Sequence, residues 1–237
     1  MGPLRLLRAR LRRRDVAWFL VGVAGLLLFW ETTEDFADGL QGLSRYDEGV
    51  HEALRPYASP EVVLVMATVS DLGSFAAMAT VLAVAVLILL ARGHRREALR
   101  IPILAVLNEA MVWGMKAWFA RPRPQAGLVS ALGFSYPSGH AAAAALFACL
   151  MGWLILRGVR HRLAAFALLL VAFLWILLVA VSRLLLGVHY LSDVVAGAGL
   201  GLAVGGFGMA GFRVASVGVE AARAAWARRP GAARRSP

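Results

Sequence analysis

Long apolar runs recur along this chain and restrict it to folds that cross a lipid bilayer. A helix needs about 17–25 predominantly apolar residues to span the hydrocarbon core, and six runs approach that length. They cover about 16–36, 72–91, 99–119, 140–156, 163–182 and 191–212. Only helices and closed barrels satisfy their backbone groups in lipid. The sequence therefore predicts an all-α, polytopic membrane bundle with six transmembrane helices.

The composition supports one membrane domain over residues 1–237. Hydrophobic residues make up 60% of the chain and charged residues 16%, whereas soluble domains have about 45–50% and about 25%. The single cysteine, Cys149, lies inside an apolar run and provides neither a disulfide framework nor a thiolate metal site. Residues 1–15 and 214–237 are interpreted as basic cytoplasmic tails.

Two segments have a second interpretation. The first run follows basic residues and resembles a signal peptide, but Glu31-Thr32-Thr33-Glu34 comes after it without a small-residue cleavage site. We therefore interpret it as an uncleaved first span. The stretch 60–69 is too short to cross a bilayer if 71–73 interrupts it. We expect it to form a short helix at the membrane surface.

The net charge of +11 raises the question of nucleic-acid binding. The basic residues sit in short clusters between apolar runs, which is typical of membrane topology, and little polar surface remains for a nucleic-acid groove. An even number of spans places 19 of the 25 lysines and arginines on one side, and the first loop on the other side carries eight acids between Glu31 and Glu61. The distribution predicts a multi-pass plasma (inner) membrane protein with both termini in the cytoplasm and no nucleic-acid partner.

Three polar motifs fall on the predicted outer face. They are Lys116-x6-Arg123-Pro124, Pro137-Ser138-Gly139-His140 and Ser182-Arg183-x5-His189-x3-Asp193. Lys116, Arg123 and Arg183 supply positive charge suited to phosphate oxygens. Such convergence predicts an anion site.

The motifs also contain groups suited to nucleophilic chemistry. Ser138 is a plausible N-cap, Gly139 lets a ligand approach the backbone, and a helix N-terminus attracts anions. His140 lies within reach of an anion bound there. His189 and Asp193 are four residues apart and share a face in a helix. A carboxylate on one imidazole nitrogen fixes the tautomer and leaves the other nitrogen free to attack.

The order and the spacing of these motifs resemble the signature of the type-2 phosphatidic acid phosphatase family. That family shares a superfamily with the vanadium haloperoxidases. The fixed positions are matched by Lys116, Arg123 and Pro124, by residues 137–140, and by Ser182, Arg183, His189 and Asp193. The motifs cover 116–193, and the six-span layout extends the resemblance over most of the chain.

The resemblance implies a membrane lipid phosphatase. It assigns catalysis to His189 as nucleophile, Asp193 as its orienting group and His140 as general acid and base. It assigns phosphate binding to Lys116, Arg123, Ser138, Gly139 and Arg183. No metal and no cofactor are expected. The expected partners are the bilayer and a lipid substrate. The candidate lipids are phosphatidic acid, phosphatidylglycerol phosphate and a polyprenyl diphosphate, for example undecaprenyl diphosphate.

Several questions stay open at this level. A non-catalytic lipid-binding or lipid-moving protein and a vanadate-dependent peroxidase are the alternative functions, and the oligomeric state is not readable. Arg121 matches no fixed position and is either a surface anchor or functional. Glu109 is not assigned to catalysis. The small-residue repeat Gly197, Gly201 and Gly205 predicts close helix packing rather than ligand binding.

Overall fold

Eight α-helices, and no β-strand, make up the part of the chain that the computed structural model describes, residues 13–37, 42–125 and 127–227. In chain order they are α1 (Arg13–Ala37), α2 (Asp47–Leu54), α3 (Pro60–Leu72), α4 (Phe75–Ala91), α5 (Arg95–Phe119), α6 (Gly139–Gly158), α7 (Arg162–Leu185) and α8 (Leu191–Ala227). Most of the predicted basic tails, 1–12 and 228–237, lie outside the described residues.

Five of these helices, α1, α5, α6, α7 and α8, are long and apolar enough to cross a membrane. The pair α3 and α4 meets the same criterion together but is bent by 45° at a short break, and counting it as one span gives six. The all-α membrane bundle predicted from the apolar runs is thus confirmed. The segment 60–69 was predicted to form a separate short helix at the membrane surface. It is instead part of α3, which forms a bent pair with α4.

The bend between α3 and α4 has two local causes. Ser74 caps α4 by accepting a hydrogen bond from the backbone N–H of Ala77 at 3.2 Å. Gly73 packs directly against Val179 of α7, where an added Cβ would lie 2.7 Å from a valine methyl carbon. The start of α4 and the close contact with α7 therefore lie at adjacent residues, Ser74 and Gly73, where the pair bends.

Helix α8 continues well past residue 212, where the apolar run ends. Residues 213–227 are rich in alanine, and no proline interrupts them before Pro230. Alanine has the highest helix propensity, so the helix outlasts the hydrophobic pattern. Its part long and apolar enough to span is Leu191–Glu220.

The glycine repeat of α8 makes the close packing that it predicts. Added Cβ atoms at Gly197 and Gly201 would collide with the backbone of α6, at Ser138 and Ala142 respectively, and one at Gly205 would lie 2.6 Å from the Cβ of Cys149. Small residues let helix backbones approach in lipid, where van der Waals packing drives association. The contact at Ser138 places the start of α6 against α8.

Successive spans run in opposite directions and bring four polar ends together. The end of α5, the start of α6, the end of α7 and the start of α8 meet at one end of the bundle. The three motifs lie there, although they are spread over 116–193 in sequence.

Candidate active site

A cavity of about 550 Å³ lies where these four helix ends meet. Six of the eight residues predicted from the motifs line it: Lys116, Arg123, Gly139, His140, Arg183 and His189. The other two, Ser138 and Asp193, are fully buried beside it. The structure thus gathers the whole predicted set at one place.

His189 presents one ring nitrogen toward Arg123 and the other toward Asp193. Its Nε2 lies 3.1 Å from Nη1 of Arg123, and its Nδ1 lies 3.3 Å from Oδ2 of Asp193. A guanidinium only donates hydrogen bonds and an ionised carboxylate only accepts them. These partners therefore assign the proton to Nδ1 and the lone pair to Nε2, which accepts a hydrogen bond from Arg123.

His189 is also held in its neutral form. Burial lowers the pKa of its imidazole to about 4, while the hydrogen bond and charge of Asp193 act in the opposite direction. Above that pH the ring carries a free lone pair, which a nucleophile at phosphorus needs.

The start of α6 forms the wall of the cavity at His140. The Ser138 hydroxyl caps the helix by accepting from the backbone N–H of Ala141, and the Ser138 N–H donates to the Asp193 carbonyl at 2.9 Å. The prediction of Ser138 as N-cap is confirmed. His140, one residue into the helix, is partly buried and lines the cavity.

Lys116 and Arg123 bind backbone carbonyls of the loop that folds over the cavity. Lys116 Nζ donates to the Phe134 carbonyl at 2.6 Å, and Arg123 donates to the carbonyls of Leu132, Gly133 and Val188 at 2.8–3.0 Å. Residues 130–134 of this loop line the cavity. Both cations are therefore fixed beside the cavity by the loop that encloses it.

Arg183 enters the cavity from the end of α7. Its Nη1 donates to the hydroxyl of Ser70, a buried residue of α3. Its Nε is buried and has no hydrogen-bond partner among the residues that the structure describes. The bent α3–α4 pair thus orients this arginine, and part of its fork is left available to an anion.

Arg121, which the sequence left open between a surface anchor and a functional residue, is buried beside Asp193. Its side chain is only 7% exposed, with Nη1 2.7 Å from Asp193 Oδ1 and Nη2 2.8 Å from Asp47 Oδ2. Its guanidinium carbon also lies 4.1 Å from the centre of the Tyr190 ring. The surface-anchor interpretation is therefore wrong.

Asp47, at the start of α2, completes this arrangement. Besides Arg121, it accepts hydrogen bonds from the backbone N–H and hydroxyl of Ser192 at 2.9 and 2.6 Å. Asp47 is separated from Arg121 by 74 residues. The only sequence signal for the pair was that Arg121 lies on the predicted outer face, where the positive-inside rule does not favour basic residues.

Another part of the cavity lining is mostly apolar. Phe75, Val112 and Trp113 line it together with Glu109 of α5. The Oε1 atom of Glu109 is buried without a hydrogen-bond partner in the described part of the chain, and so are both amide atoms of neighbouring Asn108. The cavity therefore combines a cationic rim, an apolar wall and one carboxyl group.

Metal ligands are not clustered in this region. Over the described ranges 13–37, 42–125 and 127–227, no group of three or more His, Cys, Asp or Glu side chains is placed to hold a metal ion. The positive charge facing the cavity comes from Lys116, Arg123 and Arg183.

Comparison with known proteins adds to this geometry. Residues 97–215 match the profile of the PAP2 superfamily, a segment that includes all three motifs. Phosphatidylglycerophosphatase B of Bacillus subtilis is 34% identical over 93 residues, which cover 37% of this chain and 44% of that protein. The match thus spans less than half the length of that relative.

Two solved structures share the arrangement of helices. The first, a transmembrane PAP2-type phosphatidylglycerolphosphate phosphatase from Bacillus subtilis, has a TM-score of 0.69 and 24% identity over 85% of this chain and 96% of that chain. The second, LpxE of Aquifex aeolicus, has a TM-score of 0.55 and 22% identity over 68% and 93%. At these identities the likeness concerns the fold.

Proposed function

The chain belongs to the PAP2 superfamily, and on that premise we propose that it is a membrane lipid phosphatase acting through a phosphohistidine on His189. The observation that carries the proposal is the environment of His189. Its Nε2 lies beside Arg123 at the cavity, its Nδ1 faces Asp193, and two further cations line the same cavity.

The first step transfers the phosphoryl group to the protein. Nε2 of His189 attacks phosphorus while the bond from phosphorus to the leaving oxygen breaks. His140, which lines the same cavity, protonates that oxygen as it departs. Asp193 stabilises the positive charge that develops on His189 and holds Nδ1–H in place.

The second step regenerates the enzyme. His140, now neutral, removes a proton from water, whose oxygen attacks phosphorus as the bond to Nε2 breaks. Inorganic phosphate leaves and His189 returns to its neutral form. Lys116, Arg123 and Arg183 hold the phosphoryl oxygens in both steps. Such contacts supply most of the catalysis, since phosphoryl transfer depends mainly on positioning and charge stabilisation.

The phosphoryl group takes over donors that bind backbone carbonyls in this structure. Lys116 and Arg123 now donate to loop carbonyls, and anionic oxygens accept stronger hydrogen bonds than neutral carbonyls. The Gly139 backbone N–H adds a donor at the start of α6. The Ser138 hydroxyl serves chiefly as the cap that fixes this helix start.

Arg121 and Asp47 have a positioning role in this scheme. Arg121 binds Oδ1 of Asp193 and leaves Oδ2 facing His189. Asp47 holds Arg121 from the other side. The α2 segment is therefore part of the support of the reacting histidine.

The substrate we propose is a lipid phosphomonoester or diphosphate, with phosphatidylglycerol phosphate as the first compound to test. Its phosphate meets the cationic rim and its acyl chains follow the apolar wall at Phe75, Val112 and Trp113. We propose that the cavity opens on the outer side of the membrane, with both termini in the cytoplasm, and the distribution of lysines and arginines supports this orientation.

The function is tested by measuring phosphate release from purified protein in mixed micelles. The panel comprises phosphatidylglycerol phosphate, phosphatidic acid and undecaprenyl diphosphate. We expect turnover of at least one lipid, full activity in excess chelator and inhibition by vanadate. Failure with every phosphorylated lipid would reject a phosphatase, and activity restored only by a divalent cation would reject the metal-independent mechanism.

A further inference from the structure

A second, smaller cavity lies between α1, α5, α6 and α8 at the opposite end of the bundle. Its volume is about 130 Å³. Arg100 of α5 and Lys116 of the first cavity are 16 residues apart, which is about 24 Å along a helix. None of the residues in the three motifs lines this second cavity.

Positive charge is in excess around it. Four arginines line the cavity, one from each helix: Arg14, Arg100, Arg157 and Arg213. Two carboxylates lie close to them, with Asp15 Oδ2 3.6 Å from Arg213 Nε and Glu97 Oε1 3.4 Å from Arg157 Nη2. Among the residues that the structure describes, the cluster therefore has four arginines and two carboxylates, a surplus of two positive charges.

Arg100 is the residue that most requires an anion. In the part of the chain that the structure describes, no carboxylate oxygen lies within 4.0 Å of its guanidinium. Its guanidinium carbon lies 5.6 Å from the Trp153 ring centre and 5.4 Å from that of Phe212. These cation–π contacts hold the guanidinium group of Arg100 at the cavity.

Membrane topology alone does not account for this arrangement. Arginines that orient a membrane protein do so from loops and helix ends in water, whereas Arg100 is partly buried between helices. Taking an unpaired charge out of water is costly unless an anion compensates it.

We propose that this cavity binds the phosphate group of an anionic phospholipid. Arginine forks match phosphate oxygens, and basic pockets between membrane helices bind lipid headgroups. Ile103 follows Arg100 by three residues on α5 and is half exposed, so it offers an apolar surface beside the guanidinium to the acyl chains. The lipid joins four helices at a site separate from the candidate active site.

Thermal unfolding of the purified full-length protein tests the proposal. The melting temperature is followed as phosphatidylglycerol, phosphatidylcholine or inorganic phosphate is added to detergent-solubilised protein. Phosphatidylglycerol should stabilise the protein, because a ligand that binds only the folded state raises its melting temperature. Phosphatidylcholine and inorganic phosphate should produce little shift.

Three variants locate the effect. Arg100→Gln should weaken the apparent affinity for phosphatidylglycerol roughly tenfold, the loss expected for one charge-assisted hydrogen bond. Arg95→Gln, at an exposed position on the same helix, should not weaken it. Lys116→Gln alters the first cavity and should leave the stabilisation intact. If Arg100→Gln does not fold, Arg157→Gln replaces it.

Three outcomes would overturn the proposal. If Arg95→Gln weakened the affinity for phosphatidylglycerol as much as Arg100→Gln does, the lipid would be attracted to the basic surface in general and not bound in the cavity. Loss of the shift in Lys116→Gln alone would place the lipid in the first cavity. An equal shift with inorganic phosphate would assign the second cavity to a soluble anion.

Discussion

Arg121 binds Asp193 through a buried ion pair in which Nη1 lies 2.7 Å from Oδ1. The other carboxylate oxygen, Oδ2, faces His189. Asp193 is therefore held from two sides, and a change at Arg121 reaches His189, the proposed nucleophile, without touching the cavity.

Replacing Arg121 by lysine tests this support. Lysine keeps the charge but cannot span Asp193 and Asp47 with a planar fork. We expect kcat to fall about 10–100-fold, by analogy with the loss of groups that orient metal-binding side chains, with KM nearly unchanged. Arg45→Gln removes an exposed arginine and should have no effect.

Folding must be monitored in the same experiment, since breaking a buried ion pair costs about 3–5 kcal/mol. Asp47→Asn keeps the shape of the side chain and should give a smaller loss of kcat than Arg121→Lys. A folded Arg121→Lys protein with normal kcat would show that Asp193 needs no support.

The buried state of His189 predicts a pH dependence of stability. Because its folded-state pKa is about 4 and the unfolded value is about 6.5, the unfolded chain binds the extra proton between these values. Stability should therefore fall as pH decreases from about 6.5 to about 4, by at most roughly 1.4 kcal/mol per pH unit for this group. In His189→Asn the decrease in melting temperature over this range should be smaller; an identical decrease would mean that His189 is not buried in neutral form.

Gly197 couples helix packing to the site. A Cβ at this position would collide with the carbonyl of Ser138, so Gly197→Ala should displace the start of α6 and lower both activity and melting temperature. Overpacking of this kind costs about 1–3 kcal/mol. Gly211→Ala, on the same helix with open space around the new Cβ, is the matched control. Equal behaviour of the two variants would rule out the close contact.

Topology is tested by cysteine labelling in intact cells. Gly49 and Gly158 both have room for a side chain, and the charge distribution predicts that Gly49 lies outside and Gly158 in the cytoplasm. In a Cys149→Ala background, a membrane-impermeant thiol reagent should label Gly49→Cys and not Gly158→Cys. The reverse pattern would invert the orientation.

The sequence predicted the spans because apolar runs and helix-breaking signals are local. The spacing of four residues suggested that His189 and Asp193 lie close together, and they do, but His189 lies in the turn before α8 and not on a helix with Asp193. The support from Asp47 and Ser70 was not predictable in this way, because each binds an arginine far away in sequence, Arg121 and Arg183 respectively. The end of α8 was missed for another reason: the apolar pattern stops before the helix does.

The two histidines should respond differently to substitution. In His140→Ala the first step should partly survive with p-nitrophenyl phosphate, whose leaving group needs little protonation, while lipid substrates should lose about 10²–10⁴-fold in rate. His189→Ala should remove turnover of every substrate. Similar losses for both substrates in His140→Ala would contradict its role as the general acid.

Trapping the phosphoenzyme tests the central claim most directly. His140→Ala incubated with ³²P-labelled substrate should accumulate an acid-labile, base-stable phosphate on His189, because the base that activates water is missing. The His140→Ala/His189→Ala double variant should carry no label. Label on another residue, or substantial turnover by His189→Ala, would contradict His189 as the nucleophile.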